Sequence, residues 1–410
     1  MTALRARRAA AALAVAAALA AGTLPGAAPA RADSIRDQQQ WALDAVNAPA
    51  AWATTRGAGV TVAVLDTGVD ATHPDLVGGV RSGADFVDMG ASPGDPQWAA
   101  HGTAMAGIIA GRGHGAGRDS GIIGVAPEAT ILPVRVLLED DDPQRDEARE
   151  TRSGALAEGI RWAADQGADV INLSLGDDSE SAHPDPEEDA AVRYALARGA
   201  VVIASAGNGG ESGDPVSYPA GYPGVIAVAA VDRSGSPAEF STRRWYATVC
   251  APGKDVIVAD PDREYYTGWG TSAAAAFVSG SAALLLAAHP DLTPAQVRTL
   301  LASTAQNPPQ EGRNDALGSG TVDPAAAIEA AAGLTPQPLE PAAEPHGAEY
   351  FGPGPRGGDA GPDGTAWLAP VSGGLGVLLL GASVALMTGR IARWRERIRR
   401  PAAESGPPLR

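Results

Sequence analysis

Hydrophobic positions between residues 61 and 232 fall into two alternating textures. The runs TVAVLD from Thr61, TILPVRVL from Thr130, DVINLSLG from Asp169, AVVIASAGN from Ala200 and VIAVAAVD from Val225 are short, nearly continuous and rich in β-branched residues. That is the pattern of strands buried on both faces. Stretches at 102–110, 153–166 and 187–198 separate them and predict helices, with Gly167 and Gly199 as C-terminal caps of the latter two. Strand and helix alternating in this way predict an α/β domain with a mostly parallel sheet and helices on both faces, a three-layer sandwich. No internal repeat interrupts it.

Both ends of the chain depart from this texture. Residues 1–32 carry Arg5, Arg7 and Arg8, an Ala/Leu/Val run of about a dozen residues, and small-residue cleavage sites at Ala28-Pro29-Ala30 or Ala30-Arg31-Ala32. This predicts a secretory signal peptide, the run being short for a membrane anchor, which is the competing reading. Residues 33–333 form the predicted globular domain with a short N-terminal extension. Residues 334–365 are rich in Pro and Gly and read as an extended linker. Residues 366–388 are 23 positions without charge, long enough as a helix to cross about 30 Å of hydrocarbon; a buried core helix is the alternative. Residues 389–410 are a basic tail holding seven arginines. Arginines beside an apolar span stay cytoplasmic. The expected topology is therefore one C-terminal transmembrane helix, with the globular domain outside the cell membrane and the C-terminus inside.

The formal charge of −17 hides this division: setting aside the eleven arginines and two glutamates of residues 1–32 and 390–410 leaves −26 on the rest. Such a surface repels nucleic acid and anionic headgroups, so neither is an expected partner. Cys250 is the single cysteine. No intramolecular disulfide can form, and its small apolar neighbours predict a buried, inert thiol. The stretch EDDDPQRDEARETRS from Glu139 to Ser153 reads as an exposed charged loop, with a calcium site or a docking surface as alternatives. No metal site or cofactor is otherwise indicated.

In parallel α/β sheets functional groups gather beyond the carboxyl ends of strands. Asp66 and Asn208 both stand there. Asp66-Thr67-Gly68 and Asp119-Ser120-Gly121 could suggest a pair of carboxylates sharing a proton, yet the second triplet lies in the Gly-rich stretch 111–121 with no strand before it. Asp66 is then better suited to orienting a histidine. Of the six histidines, His73, His114, His183, His289 and His346 have structural or solvated readings. His101 opens the small-residue helix HGTAMAGIIAG, which can press closely on its neighbours and hold a general base in place. Ser272 begins an almost purely Ala/Leu/Val helix after Gly270. Its hydroxyl and N–H would face a site where the helix dipole favours negative charge, although a serine there is by default a cap.

Together DTGVDATHPDL, HGTAMAG, SLG, SAGNGG and GTSAAAAFVSG resemble the subtilisin-like serine proteases in the chain order Asp, His, Ser. DQQQWALDAVNAPAAW, GVAPEATILPVRVL, HPDLTPAQVRTLL and GRNDALGSGTVDPAAA resemble more narrowly the mycosins, membrane-anchored subtilases associated with type VII secretion, and the similarity covers roughly residues 35–330.

The resemblance implies a subtilisin-like fold and an endopeptidase with Asp66, His101 and Ser272 as catalytic triad and Asn208 in the oxyanion hole. It also implies Ser174, Leu175 and Gly176 as the strand that pairs with an extended protein or peptide substrate. Gly207 lines the substrate side, and with Gly209 it leaves no charge there, which points to a small or apolar P1 residue. Type VII secretion membrane-complex subunits are implied partners. A structural role in that complex, with catalysis secondary, is the alternative function. The chain departs from the family around the nucleophile, where Ala273 and Ala276 replace a bulky residue and a proline. It also lacks the disulfides mycosins often carry, and about 25 residues before the first strand are too few for a folding-assisting pro-domain. An unperturbed imidazole titrates near 6.5, so activity is expected to fall as pH drops through that value.

Overall fold

A computed structural model describes residues 34–339 except 96, 97, 180 and 181. The predicted signal peptide, nearly all of the linker, the span at 366–388 and the basic tail lie outside the described residues.

The chain enters through α1 (Ser34–Ala45) and α2 (Ala48–Ala51). β1 (Thr61–Asp66), the two-residue β2 (Ala84–Asp85) and α3 (Ala100–Ala110) follow. Next come β3 (Arg112–His114), β4 (Ser120–Ile123) and β5 (Thr130–Arg135). After the short α4 (Arg145–Thr151), the elements α5 (Ala155–Asp165), β6 (Val170–Leu173), α6 (Pro186–Ala197), β7 (Val201–Ser205) and β8 (Ile226–Val231) continue the alternation. β9 (Ala247–Pro252), the hairpin β10 (Val256–Ala259) and β11 (Tyr265–Gly268), then α7 (Thr271–Ala288), α8 (Pro294–Ser303) and α9 (Pro324–Ala331) complete the described part.

Seven strands form one sheet in the order β2-β5-β1-β6-β7-β8-β9, every neighbouring pair parallel. Strand side chains alternate between faces, and here both faces are apolar. Val62, Val64, Ile131, Val170 and Ile203 enter one core with residues of α3 and α7. Ala63, Leu65, Leu132, Ile171 and Val202 enter the other with residues of α5 and α6. That division makes the expected three layers and explains why the strands read as continuous apolar runs. It is an α/β fold built on one parallel sheet.

Among the described residues α7 is the one helix long and apolar enough to cross a membrane, yet it is buried in the protein core. Its all-round apolarity suits a helix enclosed by protein, and it packs beneath β6, β7, β8 and β9. The order of the sheet sets β1, β6 and β7 side by side. Their carboxyl ends therefore open onto one place.

Two sequence expectations change. The Gly-rich stretch 111–121 is partly a β-ribbon, with β3 and β4 paired antiparallel. The acidic stretch from Glu139 is not a simple solvated loop: it contains α4, and Asp142 is buried because its carboxyl oxygens accept N–H bonds from Ala91 and Gln144. Charge density predicted exposure, but buried polar groups are tolerated where hydrogen bonds satisfy them.

Candidate active site

β1 delivers Asp66 to a position with no solvent exposure. Its Oδ1 accepts the N–H of Thr67 at 2.7 Å. His101, the second residue of α3, brings Nδ1 to 2.8 and 2.9 Å from the two oxygens of that carboxyl. An acceptor at Nδ1 fixes the tautomer with its proton there, leaving Nε2 with a lone pair. The His101 side chain keeps 37% of its surface exposed, so the ring is reachable. Burial disfavours the charged ring, but the charge and hydrogen bond of Asp66 outweigh it, with Glu139 and Asp140 adding to the effect, and the imidazole is raised from 6.5 to about 9. The sequence-based value near 6.5 is thereby corrected upward.

The approach of α3 to the end of β1 depends on a missing side chain. A Cβ on Gly102 would stand 1.9 Å from the carbonyl oxygen of Gly68 and 3.1 Å from Cβ of Asp66. Only glycine permits that contact. Thr67 then ties the two elements, its Oγ1 accepting the Gly102 N–H at 3.1 Å.

Ser272 is the second residue of α7, entered through Gly270 at φ 140°, a conformation side chains rarely adopt. The N-cap is thus Gly270, and the serine hydroxyl is not spent on capping. Ser272 Oγ donates to the carbonyl of Ser174 at 3.0 Å, and Ser174 Oγ donates to the carbonyl of Ser272 at 2.9 Å. Among the described residues no hydrogen bond joins Ser272 to His101. Catalytic hydrogen bonds are often long or poorly aligned without substrate. Buried Asn172 of β6 supports this corner by donating to Ser174 Oγ and accepting from Ser279 of α7, both at 2.9 Å.

Asn208 lies beyond the end of β7. Its Oδ1 accepts both the N–H and the hydroxyl of Thr271, at 2.9 and 3.0 Å. The backbone N–H can only donate, so this contact assigns the amide orientation and leaves Nδ2 as a donor. Leu175 and Gly176 continue from β6 past Ser174, the first half-buried and the second exposed. Gly207 immediately precedes Asn208. An Asp178 oxygen accepts the Asn208 N–H at 2.9 Å.

The other histidines have different partners. His73 is buried and its Nδ1 accepts the Asp75 N–H, while His114 Nδ1 meets the Asp75 carboxyl at 2.7 Å. His289 bonds the Ile328 carbonyl, and His346 lies outside the described residues. Sequence reasoning missed Glu139, Thr67, Asn172 and Asp178. The signal for Glu139 was topological, because β5 lies beside β1 and the segment after one must pass the end of the other. Among the described residues no cluster of three or more His, Cys, Asp or Glu could hold a metal.

A serine near a core-helix N-terminus, a histidine bonded to a buried strand-end carboxyl and an amide with a donor to spare are the groups the family resemblance singles out. The chain belongs to the subtilase family, whose model matches residues 57–320, and it is a subtilisin-like serine endopeptidase. It is 38% identical to thermitase from Thermoactinomyces vulgaris over 67% of this chain and 90% of that one. Subtilisin E from Bacillus subtilis is 41% identical over 61% of this chain, which spans 61% of the length of that relative. Among solved structures, MycP1 from Mycobacterium smegmatis superposes with a TM-score of 0.61 at 30% identity, covering 75% of this chain and 88% of that one. MycP1 from the ESX-1 type VII secretion system gives 0.60 at 31%, covering 74% and 88%.

Proposed function

We propose that this protein is a membrane-anchored, extracytoplasmic endopeptidase of mycosin type that cleaves a protein substrate with Ser272, His101 and Asp66. The observation that carries the reading is the His101–Asp66 contact at 2.8 and 2.9 Å, in the same group of strand ends as Ser272. In acylation, Ser272 Oγ bonds to the scissile carbonyl carbon and its proton passes to His101 Nε2. Collapse of the tetrahedral intermediate breaks the C–N bond, and His101 returns the proton to the leaving amine. Water then repeats the sequence against the acyl ester. Asp66 holds the ring and stabilises the imidazolium. Asn208 Nδ2 and the Ser272 N–H donate to the oxyanion; loss of such an asparagine in subtilisin costs about 10²–10³ in turnover. Ser174, Leu175 and Gly176 pair with the substrate as an added strand, with Gly207 opposite.

The apolar stretch at 366–388 with its arginine-rich flank supports the anchor and its orientation. The likeness to MycP1 supports association with a type VII secretion complex. The test is fluorophosphonate labelling of the full-length chain: wild type takes up the probe and Ser272→Ala does not, and equal labelling removes the assignment. Deleting residues 366–410 is expected to move the protein from the membrane to the soluble fraction.

A further inference from the structure

We propose that Glu139 is a positioning residue for this hydrolysis, capping the helix that carries His101 from across the site and setting a second carboxylate beside the ring. The inference rests on the catalytic reading above and deepens it. Helix α3 lacks a cap of its own: Ala99 stands at the N-cap with φ 56° and no side-chain acceptor. A helix start leaves N–H groups that need partners. Glu139 Oε1 accepts the His101 N–H at 2.9 Å from 38 residues along the chain.

Beside this contact, Thr67 takes the Gly102 N–H on its Oγ1 and gives its own N–H to Asp66. Asp66 fixes the imidazole, while Glu139 fixes the backbone from which the imidazole hangs. A negative group is favoured at a helix N-terminus. The groups acting on the ring are Asp66 from β1 and Glu139 and Asp140 from the segment after β5, all acidic. Glu139 is itself pushed up by burial, partly offset by the Thr67 hydroxyl and the His101 N–H. Its geometry therefore couples the acidic segment to the basicity of His101.

The test compares Glu139→Gln, which keeps the hydrogen-bond acceptor without the charge, with Glu139→Ala, which keeps neither. In the full-length chain, the His101 ring titration is followed by NMR with labelled histidine. The rate of inactivation by phenylmethanesulfonyl fluoride is measured at the alkaline plateau. Both variants are expected to titrate at least about half a pH unit lower than wild type. Only the alanine variant is expected to lose about tenfold in plateau rate, as a loosened base would. Asp140→Asn is the control, because Asp140 is 94% exposed and bonds no part of α3; its shift should be smaller. An unmoved titration in both Glu139 variants overturns the inference, as does an alanine variant with the wild-type rate. Should the alanine variant fail to fold, the glutamine titration still decides. A wild type unreactive toward the inhibitor counts against the catalytic reading, and the titration then decides the role of Glu139 separately.

Discussion

Gly102→Ala adds one methyl group at the joint between α3 and β1. Its Cβ would lie 1.9 Å from the Gly68 carbonyl oxygen, a backbone atom that cannot rotate away. Restoring an ordinary contact requires the helix start to retreat by about 1 Å or more, since atoms rest at roughly 3.5 Å. Alanine favours a helix over glycine by about 1 kcal/mol. Overpacking costs about 1–3 kcal/mol and sometimes more, so the clash prevails. The retreat pulls His101, the preceding residue, away from Asp66. A displacement of that size costs about 10²-fold in rate. The assay pairs inactivation rate with thermal unfolding of the full-length variant, and both are expected to fall. Gly154→Ala is the companion, because its Cβ would meet only Glu158 at 3.6 Å and its φ of −80° suits any residue; it should be neutral or stabilising by up to about 1 kcal/mol. A Gly102→Ala variant with wild-type rate and melting temperature refutes the close-approach argument.

Two further outcomes follow from the ionisable groups. A general base must be neutral, and His101 is raised to about 9, so the acid limb of the inactivation rate should have its midpoint well above 6.5; a midpoint at or below 6.5 contradicts the electrostatic account. By linkage, a raised folded-state value gives stability that is full below 6.5 and lost as pH rises through about 9. The stability lost in His101→Ala should therefore shrink over that interval, as read from denaturant midpoints. Burial pushes the Cys250 thiol up to about 12, with the Thr321 contact offsetting it in part. Iodoacetamide at pH 8 should leave the native protein unmodified and alkylate it in guanidinium, and native alkylation would show an accessible thiolate instead.

The five strands predicted between Thr61 and Val231 were legible because burial on both faces leaves uninterrupted apolar runs. The same pattern missed α1, whose SIRDQQQWALDA is mostly polar and buries only Gln39, Ala42 and Leu43. It also missed β2, which has two residues. Helix α3 begins one residue before His101 instead of after it. The reason lies outside the local sequence, in a cap supplied by Glu139. Candidate residues were readable as types at element ends, and the pairing of Asp66 with His101 through the family resemblance; the distances of 2.8 and 2.9 Å were not, since they depend on how α3 packs against β1. The Ser272 hydroxyl pointing to Ser174 likewise had no signal in the chain.

The most direct test of the central claim is peptide mapping of the full-length protein after reaction with a peptidyl chloromethyl ketone. This reagent forms a hemiketal with a nucleophilic serine and alkylates the adjacent imidazole. The account predicts an adduct on His101 in wild type that disappears in Ser272→Ala. An adduct on another residue, or one on His101 that persists without Ser272, would contradict it.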